Sequence, residues 1–238
     1  MTDLHVHPPM TMARLNARHA WILPVTAVLF VLLAVGAAFD ALPWDKPIFD
    51  AVVDARTPWL ETAARRVSFF GSTPVVFTVA AIAALLAWPR CPRLALAIVV
   101  IVVARPLTEW ALKELINRDR PVGARLVRGT GPSFPSGHPL ATAASWGLLP
   151  LVAALYTRRR VVWWSIAIGV WTLAVLIAAS RVVLGVHWPS DVVASLLLAI
   201  IGVAAAERFL EATHSMGGGG PDQERHSVNR CALFRQVE

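Results

Sequence analysis

Long apolar segments alternate with short polar ones along most of this 238-residue chain. A helix needs about 20 mostly apolar residues to span a bilayer. The segments near that length run from Trp21 to about Phe39, Phe69 to Trp88, Leu94 through Lys113, Pro139 to about Tyr156, Val161 to about Ala179, and Pro189 to Ala206. They lack the period-two alternation of half-buried strands. The pattern therefore predicts an all-α integral membrane bundle of about six transmembrane helices.

Composition supports a membrane protein. Hydrophobic residues make up 56% of the chain and charged residues only 16%, with a mean hydropathy of +0.59. A soluble domain carries about 25% charged residues. The net charge of +7 could serve a nucleic acid, an anionic membrane surface or an anionic substrate. The ten Trp lie mostly in or beside the apolar runs, as interfacial anchors do, and the basic residues are not interleaved with aromatic ones. A nucleic-acid partner is therefore not expected.

The polar connections predict an orientation. The loops RCPR (90–93) and TRRR (157–160) are short and basic, which is typical of cytoplasmic loops. By parity both termini are cytoplasmic, and the loops after the third and fifth helices face outside. The expected organisation is a cytoplasmic tail (1–20), a first transmembrane helix with an outer loop (21–68), a helical core (69–206) and a polar, disordered cytoplasmic tail (207–238). No cleavable signal peptide is expected.

Three polar islands interrupt the apolar pattern: KELINRDRP (113–121), PSFPSGHP (132–139) and SRVVLGVHWPSD (180–191). Parity places all three on one face of the membrane. Charges beside hydrocarbon are costly and usually mark a functional site. The islands therefore predict one shared site at the outer face.

Three cations in these islands suit a multiply charged anion such as phosphate. Lys113 and Arg120 are seven residues apart, nearly two helical turns, so both can lie on one helix face. Arg181 supplies the third cation. Ser136 to His138 add a hydroxyl, a glycine N–H and an imidazole, and Pro139 fits the first turn of a helix. The N-terminus of that helix would favour the anion further.

The remaining groups are suited to proton transfer and nucleophilic attack. His187 and Asp191 are four residues apart at the start of the sixth helix. A carboxylate there can hold one imidazole nitrogen and leave the other basic and nucleophilic. His138 is a second imidazole, so one histidine can attack phosphorus while the other protonates the leaving oxygen.

These residues resemble a known set of motifs. Lys113-x6-Arg120-Pro121, Pro135-Ser136-Gly137-His138 and Ser180-Arg181-x5-His187-x3-Asp191 are similar, in order and spacing, to the three signatures of the type 2 phosphatidic acid phosphatase (PAP2) family, which includes the vanadium haloperoxidases. The six apolar runs resemble the membrane-bound branch of that family. Residues 69–206 would then be a PAP2-like phosphatase core.

The resemblance implies a role for each matching residue. His187 would be the nucleophile, Asp191 would orient it, and His138 would be general acid and then base. The residues expected to bind phosphate are Lys113, Arg120, Ser136, Gly137 and Arg181. The resemblance implies no metal and no cofactor, and an active site facing away from the cytoplasm. The substrate would be a lipid phosphate such as a polyprenyl pyrophosphate, phosphatidic acid or phosphatidylglycerol phosphate.

Other interpretations stay open at the sequence level. The chain could be a vanadate-dependent haloperoxidase, or a non-catalytic transporter or scaffold built on the same bundle. His187 and Asp191 could bind a metal, although no third ligand is evident nearby. Arg118 is expected to be a solvated loop charge or an extra phosphate contact, and Arg105 and Glu109 a structural pair. The oligomeric state is not predicted.

Overall fold

The computed structural model describes residues 21–215, and these fold into helices without any strand. The all-α prediction is confirmed. The described helices, in chain order, are α1 (Ile22–Ala38), α2 (Asp45–Asp54), α3 (Pro58–Phe69), α4 (Thr73–Ala87), α5 (Pro92–Ile116), α6 (Gly137–Trp146), α7 (Leu149–Ala154), α8 (Arg160–Val183) and α9 (Pro189–Ser215).

Three described helices are long and apolar enough to cross a membrane: α5, α8 and α9. At 1.5 Å per residue, the 25 residues of α5 extend about 37 Å, which exceeds the ~30 Å hydrocarbon core. The pair α3 and α4 passes the same test jointly, with a bend of 42° between the two helices. Helix α1 is apolar but has only 17 residues. An integral membrane bundle is thus confirmed, whereas the count of six spans stays a prediction.

The predicted span from Pro139 to Tyr156 is divided into α6 and α7. Pro150 explains the division, because proline has no amide hydrogen and its ring clashes with the carbonyl four residues earlier, here that of Trp146. Helix α7 therefore starts afresh at Leu149, with Pro150 in its first turn.

The predicted outer loop also differs, since residues 45–54 and 58–69 are helical. Pro58 occupies the first turn of α3, and the Thr57 hydroxyl accepts a hydrogen bond from the Leu60 amide at 3.2 Å. Both features are typical of helix starts. The predicted boundary between residues 206 and 207 falls inside α9, which continues to Ser215. The predictions for residues 1–20 and 216–238 lie outside the described residues.

Small side chains let the central helices approach closely. Helix α9 packs against α1, α6 and α8, and α6 also packs against α8. Ala143, Ala174 and Ala199 are fully buried where α6, α8 and α9 meet. Outward faces carry large apolar residues instead, including Val103 and Leu107, each 65% exposed. A surface of this kind suits lipid rather than water.

The polar islands converge at one end of this bundle, where α5 and α8 finish and α6 and α9 begin. The short basic loops lie at the opposite end. There Arg93 donates to the carbonyl of Thr213, near the end of α9, at 2.8 Å. The guanidinium of Arg90 lies 3.8 Å from the ring centre of Tyr156. The islands therefore share one end of the bundle, as parity predicts.

Replacing Ala174 with leucine tests the close packing. Overpacking a filled core costs about 1–3 kcal/mol. We expect the unfolding temperature in detergent to fall by about 4–8 °C for a 2 kcal/mol loss. Ala179→Leu is the matched control, because Ala179 is an exposed residue of the same helix. Equal unfolding temperatures for Ala174→Leu and Ala179→Leu would contradict the packing described.

Candidate active site

Lys113 and Arg120 reach the site by different routes. Helix α5 ends at Ile116, and Asn117 follows in the left-handed conformation with its N–H bonded to the carbonyl of Lys113 at 2.8 Å. Asparagine tolerates this conformation at a helix end. Lys113 is therefore in the last turn of α5, whereas Arg120 lies in the loop beyond it. The shared helix face predicted from their spacing is wrong. Both side chains nevertheless donate to the carbonyl of Pro132, at 2.9 and 3.2 Å.

Every N–H of the Arg120 guanidinium has a partner. Nε and Nη2 donate to the three carbonyls of residues 130–132 at 2.8 to 3.2 Å. Nη1 donates to the carbonyl of Val186 at 2.8 Å and lies 3.1 Å from Nε2 of His187. A guanidinium has donors only. Nε2 of His187 must therefore accept this bond with its lone pair, and the ring proton must be on Nδ1.

A glycine turn brings His187 into the site. Helix α8 ends at Val183 and α9 begins at Pro189, with Gly185 between them at φ +74°. A side chain there would be strained, and a Cβ would lie only 2.3 Å from the carbonyl oxygen of Ala124. Gly185 therefore allows the sharp reversal that places His187, 3% exposed, at the end of the bundle.

His187 and Asp191 face each other as their spacing predicts. Nδ1 of His187 is 3.5 Å from Oδ2 of Asp191, at the long limit for a hydrogen bond. That oxygen also accepts a bond from the Trp188 amide at 2.9 Å. Burial lowers the pKa of His187 to about 4, against the opposing effect of Asp191. The ring is therefore neutral near pH 7, with its lone pair on Nε2.

His138 approaches from the first turn of α6. Gly71, in the turn between α3 and α4, makes this possible. A Cβ on Gly71 would lie 3.0 Å from Cβ of His138 and 2.9 Å from the side chain of Ile177. Burial first, and then the charge of Arg181, lower the pKa of His138 to about 3.

Ser136 and Gly137 form the start of α6. The Ser136 hydroxyl is buried and has no hydrogen-bond partner within residues 21–215. Ser195 Oγ lies 2.8 Å from the Ser136 carbonyl oxygen and 2.7 Å from that of Asp191, which joins α6 to α9. A Cβ on Gly137 would lie 2.3 Å from Oε1 of Glu109. No other residue would fit at Gly137 without displacing that carboxylate.

Three charged residues of α5, spaced four apart, form a row of ion pairs next to Gly137. Glu109 accepts a hydrogen bond from Arg105 at 2.7 Å, as expected for a structural pair. The other oxygen of Glu109 lies 3.7 Å from Nζ of Lys113. Arg105 also contributes to the positive field at His138. The carboxylate of Glu109 therefore balances two cations at the edge of the site.

Arg181 completes the set of predicted cations. It is 7% exposed, and its Nη1 donates to the Ser68 hydroxyl of α3 at 2.7 Å. Arg181 and His138 line an open cavity of about 280 Å³ whose other walls include Phe69, Ser72 and Arg65. The structure therefore brings together all eight residues predicted from the three islands, with a cavity beside His138.

Arg118 is buried and paired with acids rather than solvated. It is 6% exposed and lies between two carboxylates, with Nη2 2.7 Å from Oδ2 of Asp45 and Nη1 2.8 Å from Oδ1 of Asp191. Nη1 also donates to the Ser190 hydroxyl at 2.7 Å. The sequence carries no signal that separates Asp45 from the other acids of the predicted outer loop. Ser190 lies within the third island, but in the sequence it looks like any serine at the start of a helix. Only its burial in the structure distinguishes it.

Metal binding finds no support among the described residues. Within residues 21–215, no group of three or more His, Cys, Asp or Glu side chains is placed to hold a metal ion. His187 and Asp191 thus have no third ligand in that part of the chain.

Comparison with known proteins gives consistent matches. The model of the PAP2 superfamily matches residues 93–214, about half of the chain. Phosphatidylglycerophosphatase B of Escherichia coli K12 is 46% identical over 100 residues, which cover 42% of this chain and 37% of that relative. Phosphatidylglycerophosphatase B of Bacillus subtilis 168 is 30% identical over 186 residues, 75% of this chain and 90% of the relative.

A solved structure is also similar. It is the crystal structure of a transmembrane PAP2-type phosphatidylglycerolphosphate phosphatase from Bacillus subtilis, with a TM-score of 0.71 and 26% identity. The match covers 81% of this chain and 97% of that one.

The low pKa of His187 predicts a pH-dependent loss of stability. The unfolded chain binds a proton on this imidazole below about pH 6.5, whereas the folded chain binds it only near pH 4. Stability therefore falls as the pH drops through this window, by about 3 kcal/mol at pH 4. We expect His187→Gln to remove this part of the decline, measured by thermal unfolding in detergent between pH 7 and pH 4. If the wild-type protein and His187→Gln lost the same stability between pH 7 and pH 4, the low pKa assigned to His187 would be wrong.

Proposed function

Because the chain belongs to the PAP2 superfamily, we propose that it is an integral membrane phosphatase that hydrolyses a phosphomonoester or diphosphate of a lipid through a phosphohistidine intermediate. One observation carries the mechanism. Nε2 of His187 bears a lone pair, while Nδ1 faces a buried carboxylate and Nε2 lies 3.1 Å from a guanidinium. His187 would therefore be a neutral nucleophile next to a cation, Arg120, that attracts a phosphate.

In the first step, Nε2 of His187 attacks phosphorus. A phosphorus–nitrogen bond forms and the bond from phosphorus to the leaving oxygen of the lipid breaks. His138 gives its proton to that oxygen, so that the leaving group departs neutral or as a weaker base. The ring of His187 gains positive charge as it bonds to phosphorus. Asp191, through Oδ2, stabilises that charge.

In the second step, water replaces the histidine on phosphorus. His138, now deprotonated, takes a proton from the water as it attacks. The phosphorus–nitrogen bond breaks, inorganic phosphate leaves, and His187 is neutral again. The same imidazole therefore acts as acid and then as base, and the atoms and protons balance over the two steps.

The cations and the start of α6 would bind the phosphate. Lys113 and Arg181 carry positive charge. The buried Ser136 hydroxyl, which has no partner within residues 21–215, could donate a hydrogen bond to the phosphate. The first N–H groups of α6 favour an anion as well. Arg120 already uses all five of its N–H groups. Its bond to His187 is the one that the attack on phosphorus breaks, so Nη1 would then turn to a phosphate oxygen.

A bound phosphate would also favour the protonated form of His138 that the first step needs. The surrounding cations lower the pKa of His138 to about 3, so this imidazole is neutral near pH 7. The negative charge of a phosphate acts in the opposite direction and raises the pKa. The general acid is thus charged only in the presence of its substrate.

The substrate is proposed more specifically from the class of lipid that carries the phosphate. Polyprenyl pyrophosphate, phosphatidic acid and phosphatidylglycerol phosphate all present a terminal phosphate. Both relatives described above carry the name phosphatidylglycerophosphatase B, which makes phosphatidylglycerol phosphate the first substrate to test. The cavity beside His138 has both the apolar Phe69 and the cationic Arg65 in its wall, which suits a charged headgroup with an apolar tail.

The proposed orientation puts the active site outside and both termini in the cytoplasm. The basic loops 90–93 and 157–160 lie at the end of the bundle opposite the site. Short basic loops favour the cytoplasmic side. The substrate would therefore be a lipid of the outer leaflet.

A phosphohistidine trap tests the mechanism. Purified full-length protein in detergent is given a panel of lipid phosphates and diphosphates labelled in the terminal phosphate, with EDTA present. We expect phosphate release, acid-labile and base-stable label on the protein, and inhibition by vanadate. His187→Ala should lose both label and turnover, the latter by about 10⁴-fold or more.

The same assay separates the alternatives. Wild-type turnover by folded His187→Ala would overturn the histidine mechanism, and activity restored only by added metal would overturn the metal-free one. Halide oxidation by the vanadate-loaded protein would support the haloperoxidase. No turnover of any phosphate by the folded wild-type protein would favour a transporter or scaffold.

Gly71→Ala tests the placement of His138. A methyl added at Gly71, in the turn between α3 and α4, would push the imidazole of His138 out of its position, and a displacement of about 1 Å costs roughly 100-fold in rate. We expect kcat to fall by about that factor while the protein stays folded. Gly169→Ala is the matched control, since no atom lies within 4 Å of its added Cβ. Full activity in both variants would contradict the contact.

A further inference from the structure

The two oxygens of Asp191 have different partners. Oδ1 accepts a bond from Nη1 of Arg118 at 2.8 Å. Oδ2 accepts a bond from the Trp188 amide at 2.9 Å and lies 3.5 Å from Nδ1 of His187. The carboxylate is fully buried, so no water competes for either oxygen. The bond from Arg118 therefore decides which way the carboxylate is turned, and leaves Oδ2 for His187.

Arg118 is itself fixed from the other side. Its Nη2 donates to Oδ2 of Asp45 at 2.7 Å, while Nη1 also reaches the Ser190 hydroxyl at 2.7 Å. The planar guanidinium presents these donors in a rigid fork. A lysine ammonium at this position would be a single point of charge on a flexible stem. It could not bridge the two carboxylates in the same geometry.

Asp45 binds the start of α9 as well as Arg118. It is the first residue of α2, yet its Oδ1 accepts the Ser190 amide at 2.8 Å, and its Oδ2 accepts the Ser190 hydroxyl. The first N–H groups of a helix lack partners within the helix and attract negative charge. Asp45 therefore fixes the turn that carries Asp191 and immediately follows His187.

The charges of this group match the proposed reaction. Asp45, Arg118 and Asp191 together carry one net negative charge, in a region where each is less than 10% exposed. The ring of His187 gains one positive charge when it is phosphorylated, which this cluster balances. Without Asp45, the cluster would be neutral and the charge on His187 would lack its counterpart. Without Arg118, two buried carboxylates would repel each other.

From these contacts we propose that Asp45 and Arg118 are positioning residues of the phosphatase: they orient Asp191 toward His187 and hold the net negative charge that the phosphohistidine requires. The proposal rests on the proposed function. The bonds of Asp45 and Arg118 go to each other, to Ser190 and to Asp191, so their removal should slow the chemical step and leave substrate binding nearly unchanged.

The test compares Asp45→Asn and Arg118→Lys with a control variant in α2, the helix that contains Asp45. Asp50→Asn is suitable, because Asp50 lies in α2 and pairs with exposed Lys46 at 2.6 Å. With the full-length protein and a lipid phosphate that the wild type turns over, we expect both variants to lower kcat about 10- to 100-fold. KM should stay within about twofold, as it should for Asp50→Asn, whose kcat is expected to match the wild type.

A double-mutant cycle separates positioning from general stability. If Asp45 acts through Asp191, Asp45→Asn should change the residual kcat of Asp191→Asn by less than about twofold. The same loss in both backgrounds would overturn the proposal. So would wild-type kcat in folded Asp45→Asn and Arg118→Lys, or a loss confined to KM. Unfolding temperatures identify the folded variants, and Arg118→Lys keeps the test valid if Asp45→Asn does not fold.

The outcome can be told apart from failure of the proposed function. If His187→Ala is active, the histidine mechanism fails whatever Asp45 does. If His187→Ala is inactive and Asp45→Asn is fully active, only the positioning role fails.

Discussion

A carboxylate sealed away from water stays charged only if cations and N–H donors surround it, and Asp191 meets that condition at the convergence of the bundle. Arg118 binds one of its oxygens and the Trp188 amide binds the other. Around this buried anion the rest of the site is arranged, because the orientation of His187 depends on it. The long helices supply the rigid frame, and the loops after α5 and α8 carry the charges to it.

The cations of the site have unequal tasks. Arg120 uses its donors on the carbonyls of residues 130–132, on Val186 and on His187, so it shapes the loop as well as the tautomer of His187. Within residues 21–215, Arg181 makes a single side-chain hydrogen bond, to Ser68, and it borders the cavity. A motif arginine can therefore be part of the scaffold in one position and open to a ligand in another, although the two look alike in a sequence.

The apolar pattern and the motif spacing predict much of this molecule. The membrane-length runs identify α5, α8 and α9, because a hydrophobic length is a local property. The four-residue spacing from His187 to Asp191 is also local, and it correctly predicts that the two side chains face each other. The division at Pro150 could have been predicted from the missing amide hydrogen, whereas α2 and α3 are too short and too charged to stand out. Asp45 and Arg118 could not be predicted, since their partnership depends on how distant helices dock.

The bond from Asp45 to Ser190 joins residues 145 positions apart in the chain. During synthesis the carboxylate of Asp45 leaves the ribosome long before its partner at the start of α9 exists. Arg118 emerges in between and can pair with Asp45 first, but the pair has its full set of bonds only when the last described helix inserts. Completion of the proposed active site is then a late event in the biogenesis of the protein, and a chain interrupted before α9 would embed its earlier membrane helices without it.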